Sequence, residues 1–178
     1  MSACIIPVAP NFQDQPSVPN SPPYLSGYQP KPPGEIYTIL PDKPGDDPQA
    51  TFSANVSDIN GDTLQYLWVL DYPPFKNGVT KLGNQGNITS PDGLATYAPI
   101  PFLVTCNFVG RPSDGTHQLE LIVADRALST SPTLTADNVL DTLEDPNDGG
   151  FVVRANWLIN ISCSAVASST SATTGSSP

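Results

Sequence analysis

Between Ala50 and Asp71 the chain alternates apolar and polar residues twice, with a short acidic interruption in the middle. Phe52, Ala54 and Val56 alternate with Thr51, Ser53, Asn55 and Ser57, the period of two of a half-buried strand. Leu64, Tyr66, Trp68 and Leu70 then share one face, with Gln65, Leu67 and Val69 on the other. Asp58-Ile59-Asn60-Gly61-Asp62 separates the two runs. Asn and Gly both tolerate positive φ, so the pattern predicts a β-hairpin over this stretch.

Further strands are predicted on either side. Residues 35–40 read as a short strand ended by Pro41, followed by an acidic loop from Asp42 to Pro48. Tyr72 to Ile100 is irregular, punctuated by Pro73-Pro74, Asn77-Gly78, Asn84 and Gly86, with short strands expected near Val79–Leu82 and Leu94–Tyr97. Residues 102–109 are apolar on both faces and predict a buried strand; a turn from Gly110 to Gly115 leads to a strand over 117–125. Residues 127–150 are rich in Ser, Thr and Asp, with one helical turn expected around Asp137–Leu143. The clearest strand is 151–163, where Phe151, Val153, Ala155, Trp157, Ile159, Ile161 and Cys163 share one face.

Two segments carry a family resemblance. Val56-Ser-Asp-Ile-Asn-Gly-Asp-Thr-Leu-Gln-Tyr-Leu-Trp68 resembles the opening hairpin of PKD-like and cadherin-like domains. His117 to Asp125, ending in Val-x-Asp, resembles their late strand. The resemblance implies an all-β chain: an immunoglobulin-like antiparallel β-sandwich over residues 35–165, with long irregular tails at 1–34 and 166–178. It does not imply an activity, because such sandwiches host many functions.

Composition narrows the partners. The 178 residues carry a net charge of −10. Phosphate backbones and anionic lipid surfaces are repelled by that charge, so no nucleic-acid partner is expected. Proline is abundant, at 21 residues, and nine of them fall in residues 1–34. Repeated loss of backbone donors excludes helix and central strand there and predicts an extended tether. Ile5, Ile6, Phe12, Tyr24, Leu25 and Tyr28 are nevertheless apolar enough to lie on the domain. Ser2-Ala3-Cys4 matches the last three positions of a bacterial lipobox, so Cys4 is the expected lipid acceptor and membrane contact is expected only through it; an ordinary free cysteine near a disordered terminus is the alternative. The expected location is therefore exported: the bacterial cell envelope, as an outer-membrane lipoprotein, or secreted. Residues 166–178 are low-complexity Ser/Thr sequence, too polar to offset the entropy of ordering.

Candidate chemistry is sparse. Asp58, Asn60 and Asp62 place oxygens at alternate positions, as in the start of a calcium loop, but Thr63 and Val69 stand where an EF-hand needs Gly and Glu. The cadherin-like resemblance implies another route, in which Asp125 joins Asp58, Asn60 and Asp62 around Ca2+; a solvated Asx turn is the alternative. No other cofactor is expected. His117 is the one histidine, and Cys106 and Asp125 can be written beside it as a triad. A thiol on an apolar strand face is inert, however, and no nucleophile, phosphate-loop or zinc motif occurs. A non-catalytic structural or binding role is expected, with a protein or glycan at the cell envelope as partner; a secreted enzyme, the third reading, would need a pocket collecting Asp or Glu with His117. A carbohydrate-binding module or adhesin would show a line of exposed aromatics, for which Tyr72, Phe75 and Tyr97 are the candidates. With Cys4 assigned to lipid, Cys106 and Cys163 remain as one disulfide pair on apolar faces; two separate buried thiols are the alternative.

Overall fold

The computed structural model describes residues 19–31, 36–72, 80–91, 95–110, 113–125 and 150–163. They form eight strands and one helical turn: β1 (Tyr24–Gln29), β2 (Tyr37–Thr38), β3 (Gln49–Ser57), β4 (Leu64–Leu70), β5 (Lys81–Ile88), β6 (Ile100–Thr105), α1 (Cys106–Val109), β7 (Ser113–Ala124) and β8 (Val152–Cys163). Two sheets face each other. One has the order β1-β3-β6, the other β2-β8-β7-β4-β5. This is the expected immunoglobulin-like β-sandwich. Its pairings are antiparallel except for the two-residue contact of β2 with β8.

The core lies between the sheets and is read directly from the alternation. Phe52, Ala54 and Val56 on β3 share one core cluster with Trp157, Ile159 and Ile161 on β8, and every one of them is buried. Four large rings fill the centre: Trp68 stacks on Phe102 at 5.3 Å and lies 5.4 Å from Trp157, while Phe52 meets Trp157 edge-on. Such pairs add to the gain from burying their area. Gly83 on the edge strand β5 makes room for this stack, since a Cβ there would lie 2.8 Å from the Phe102 ring. A second buried group, Leu67, Val69, Tyr72, Ile122 and Ala124, forms a separate apolar cluster that involves β4 and β7. Central β4 is thus apolar on both sides, which explains its near-continuous hydrophobic run.

Three expectations change. Ala50–Asp71 is not a hairpin: β3 and β4 belong to different sheets, and the acidic turn carries the chain across the sandwich. A hairpin of this turn type needs a two-residue loop, whereas six residues separate Ser57 from Leu64. The strand expected over 102–109 starts earlier, at Ile100, and stops at Thr105. There Thr105 caps α1 by accepting the Phe108 N–H, and Gly110, at φ 96°, ends it. Leu103 is exposed on the outer face of β6, while Cys106 and Val109 of α1 turn inward. Finally, the sheet begins inside the Pro-rich segment. Tyr24–Gln29 pairs with β3 as an edge strand, bulged between Ser26 and Gln29, with Leu25 buried in the core. The helical turn expected at Asp137–Leu143, Cys4 and the Ser/Thr tail lie outside the described residues.

Cys106 and Cys163 form a disulfide, with Cα atoms 5.5 Å apart. It ties α1, at the end of the three-stranded sheet, to the end of β8 in the other. Closing a loop with a separation of 57 residues restricts the unfolded chain by about 4 kcal/mol.

Candidate functional site: an acidic corner beside the N-terminal segment

The turn between the sheets gathers carboxylates because the backbone is pinned there. Asp58 N–H donates to the Ala95 carbonyl at 2.8 Å, and Tyr97 N–H donates to the Val56 carbonyl. Gly61 N–H closes a β-turn on the Asp58 carbonyl at 3.1 Å, and Gly61 itself takes the positive φ, 70°. The Asp58 side chain completes an Asx turn: Oδ1 accepts the Asn60 N–H at 2.7 Å. That leaves Oδ2. Asp58 is only 1% exposed, and Oδ2 has no hydrogen-bond partner.

A buried carboxylate without full partners is costly. Burial pushes the Asp58 carboxyl above the usual carboxylate range, the Asn60 N–H holds it back, and the neighbouring charges of Asp62 and Asp125 push it up further. Tyr97 stands in the same field. Its hydroxyl donates to the Asp62 carbonyl at 2.5 Å, and burial, with Asp58 and Asp62 adding, pushes its pKa up to about 12. The corner therefore sets the buried Asp58 and Tyr97 beside the exposed carboxylate of Asp62 and the half-buried one of Asp125.

The four expected calcium ligands do come to one corner, but most of their oxygens are already engaged. Asp125 Oδ1 accepts the Phe151 N–H at 2.5 Å and Oδ2 accepts from the Asn20 amide at 3.0 Å. Asn60 Oδ1 accepts the Ser21 N–H at 2.8 Å. Among the described residues, no three His, Cys, Asp or Glu side chains converge as a ready-made metal cage. Asp58 Oδ2 is the buried oxygen left over, beside the exposed carboxylate of Asp62.

His117 has a different partner from those written beside it in sequence. Its Nδ1 lies 2.7 Å from Asp71 Oδ2. Asp71 Oδ1 accepts the Gln118 N–H at 2.9 Å, its own N–H donates to the Gln118 carbonyl, and Thr80 Oγ1 donates to its carbonyl. Asp71 adopts φ 57°, which a short polar side chain tolerates. The pair closes the end of β4. With Cys106 in the disulfide, the triad of Cys106, His117 and Asp125 does not form. Sequence reasoning missed Asp71, whose signal was an acidic residue directly ending the apolar run of β4.

The aromatic line is also corrected. Tyr72 is 2% and Tyr97 4% exposed, so both are core residues. Tyr72 sits in the turn after β4, and Tyr97 follows the isolated bridge of Thr96 with Ser57, where its N–H bonds the Val56 carbonyl. Phe75 lies outside the described residues. A further buried acid, Glu120 on β7, is 2% exposed; its Oε1 lies 3.7 Å from Arg154 Nη1 and its Oε2 has no partner. Burial raises its pKa and Arg154 lowers it.

No family model and no curated protein matches the chain. Among solved structures it is similar to an ASH/PapD-like domain of human CEP192 (PapD-like domain 7), with 12% identity over 93% of this chain and 98% of that one, at a TM-score of 0.36.

Proposed function

We propose that this chain is a non-catalytic binding or structural domain displayed at a bacterial cell envelope, carried on its Pro-rich N-terminal segment with Cys4 as the lipid acceptor. The observation that supports this best is the Cys106–Cys163 disulfide. Structural disulfides persist in exported proteins and are rare in reducing compartments. The same bond takes up the buried thiol, and Asp71 takes up the one histidine, so the groups that nucleophilic catalysis would draw on serve the fold. A protein partner is favoured over a glycan, because Tyr72 and Tyr97 do not face solvent. Mass spectrometry of the protein from its native envelope tests the anchor. Diacylglycerol on an N-terminal Cys4 supports the reading; an unmodified Cys4 inside the mature chain overturns it.

A second reading concerns the corner itself, and Asp58 Oδ2 favours it. A hard cation such as Ca2+ would satisfy this oxygen and offset the repulsion among Asp58, Asp62 and Asp125, with Asn60 as a fourth ligand. Ca2+ would have to compete with the Asn20 and Ser21 donors, which implies the weak affinities of extracellular modules, about 10⁻⁴–10⁻³ M. Titration calorimetry with wild type and Asp62→Ala tests it: heat from the first and not the second is expected, and no heat from either at millimolar Ca2+ removes the reading.

A further inference from the structure

The corner also grips the chain that enters the sandwich. Three hydrogen bonds span long sequence separations: Asn60 Nδ2 to the Pro19 carbonyl at 3.2 Å, Ser21 N–H to Asn60 Oδ1 at 2.8 Å, and Asn20 Nδ2 to Asp125 Oδ2 at 3.0 Å. Asn60 thus bonds the backbone on both sides of Asn20, using its amide as donor and its carbonyl as acceptor. The turn around Asp58 holds Asn60 in place for this. The grip lies just before β1, whose far end is fastened separately: Tyr28 meets Trp157 edge-on, and Trp157 Nε1 donates to the Pro30 carbonyl at 2.8 Å. Between the two fastenings β1 is a weak edge. It is bulged at Gly27, which takes φ 55° where a Cβ would lie 2.3 Å from Asn55 Nδ2, and its register with β3 shifts there.

We infer that Asn60 and Asp125 form a clasp that keeps the strap Pro19–Lys31 closed on the sandwich. This rests on the N-terminal segment being the side from which the domain is held. A pull from that side reaches the clasp before it reaches the ladder between β1 and β3. The clasp is made of side-chain bonds that can open and close locally without unfolding the core. While it is closed, the chain enters the domain in one direction and the domain cannot pivot about β1. Once it is open, β1 is left with its short bulged ladder, Leu25 and the Trp157 fastening at its far end, and its leading end can lift from the edge of β3.

Hydrogen exchange on the unlipidated full chain tests this, independently of the state of Cys4. Asn60→Ala removes two of the three bonds while leaving the backbone N–H that Asp58 uses, and Asn20→Ala removes the third. In the double variant, amides of residues 24–29 are expected to exchange at least tenfold faster, with those of residues 117–124 and 155–161 unchanged. Unchanged exchange in residues 24–29 overturns the clasp, showing that the ladder and the Trp157 fastening hold β1 without it. Equal acceleration in all three segments also overturns it, because Asn20 and Asn60 would then support the whole fold and not the strap.

Discussion

Strand β4 is flanked by two buried aspartates that have opposite fates. Asp71, at its end, is fully engaged: one carboxylate oxygen faces His117, the other accepts the Gln118 N–H, and the backbone is bonded on both sides. Asp58, before its start, is the more deeply buried of the two and has one oxygen with no partner. The first is what a fold needs to finish a strand. The second costs stability. An under-satisfied buried charge calls for an explanation outside folding, and here it stands beside two more carboxylates and the entry point of the chain. Asp71 belongs to structure, and Asp58 keeps the oxygen that the proposed cation would satisfy.

Substitution can break this contrast. Asp71→Ala deprives His117 and Gln118 of their partner and puts alanine at φ 57°, so a loss of about 3 kcal/mol is expected in denaturant unfolding. A loss under about 1 kcal/mol would erase the difference between the two aspartates. Asp58→Asn keeps the Oδ1 acceptor for Asn60 and replaces the unpartnered oxygen with a donor among carboxylates. This variant is expected to be at least as stable as the wild type at neutral pH without divalent cations. The pH dependence carries the sign. The folded pKa of Asp58 is raised, so its favourable contribution is present below the unfolded carboxylate value and is lost as pH rises through the folded one. Melting temperatures of wild type and Asp58→Asn should therefore converge in acid and separate, with the variant ahead, as pH climbs past the usual carboxylate range. Glu120→Gln sharpens the comparison with the smallest effect. Glu120 is also buried and half-satisfied, but the half-exposed Arg154 stands near it, so the change should stay within about 0.5 kcal/mol of wild type.

Much of the fold was legible because it is written in local alternation. Phe52, Ala54 and Val56, and the long run from Ala155 to Cys163, bury the residues that a period of two assigns to one face. What alternation cannot say is which sheet a strand joins. The Asn60-Gly61 turn looks the same locally whether it closes a hairpin or crosses the sandwich, and the pinning of Asp58 to Ala95 decides. Cys106 to Val109 continued an apolar alternation, yet Thr105 and Gly110 supply a cap and a stop that fold them into a helical turn. The site was half legible. The carboxylates of the corner are adjacent in sequence or come from the Val-x-Asp strand end. The contacts from Pro19, Asn20 and Ser21 were hidden behind the prolines, and the pairing of Asp71 with His117 joins residues 46 apart.

The contrast between the two aspartates is tested most directly by thermal unfolding of wild type and Asp58→Asn, each with a chelator and with millimolar Ca2+. A ligand that binds only the folded state raises its melting temperature by mass action. The expected result is that Ca2+ raises the melting temperature of the wild type by several degrees and leaves Asp58→Asn unmoved, while the variant in chelator melts no lower than the wild type. A wild type that ignores Ca2+, together with a variant that melts well below it, would show that Asp58 serves the fold and would contradict the account.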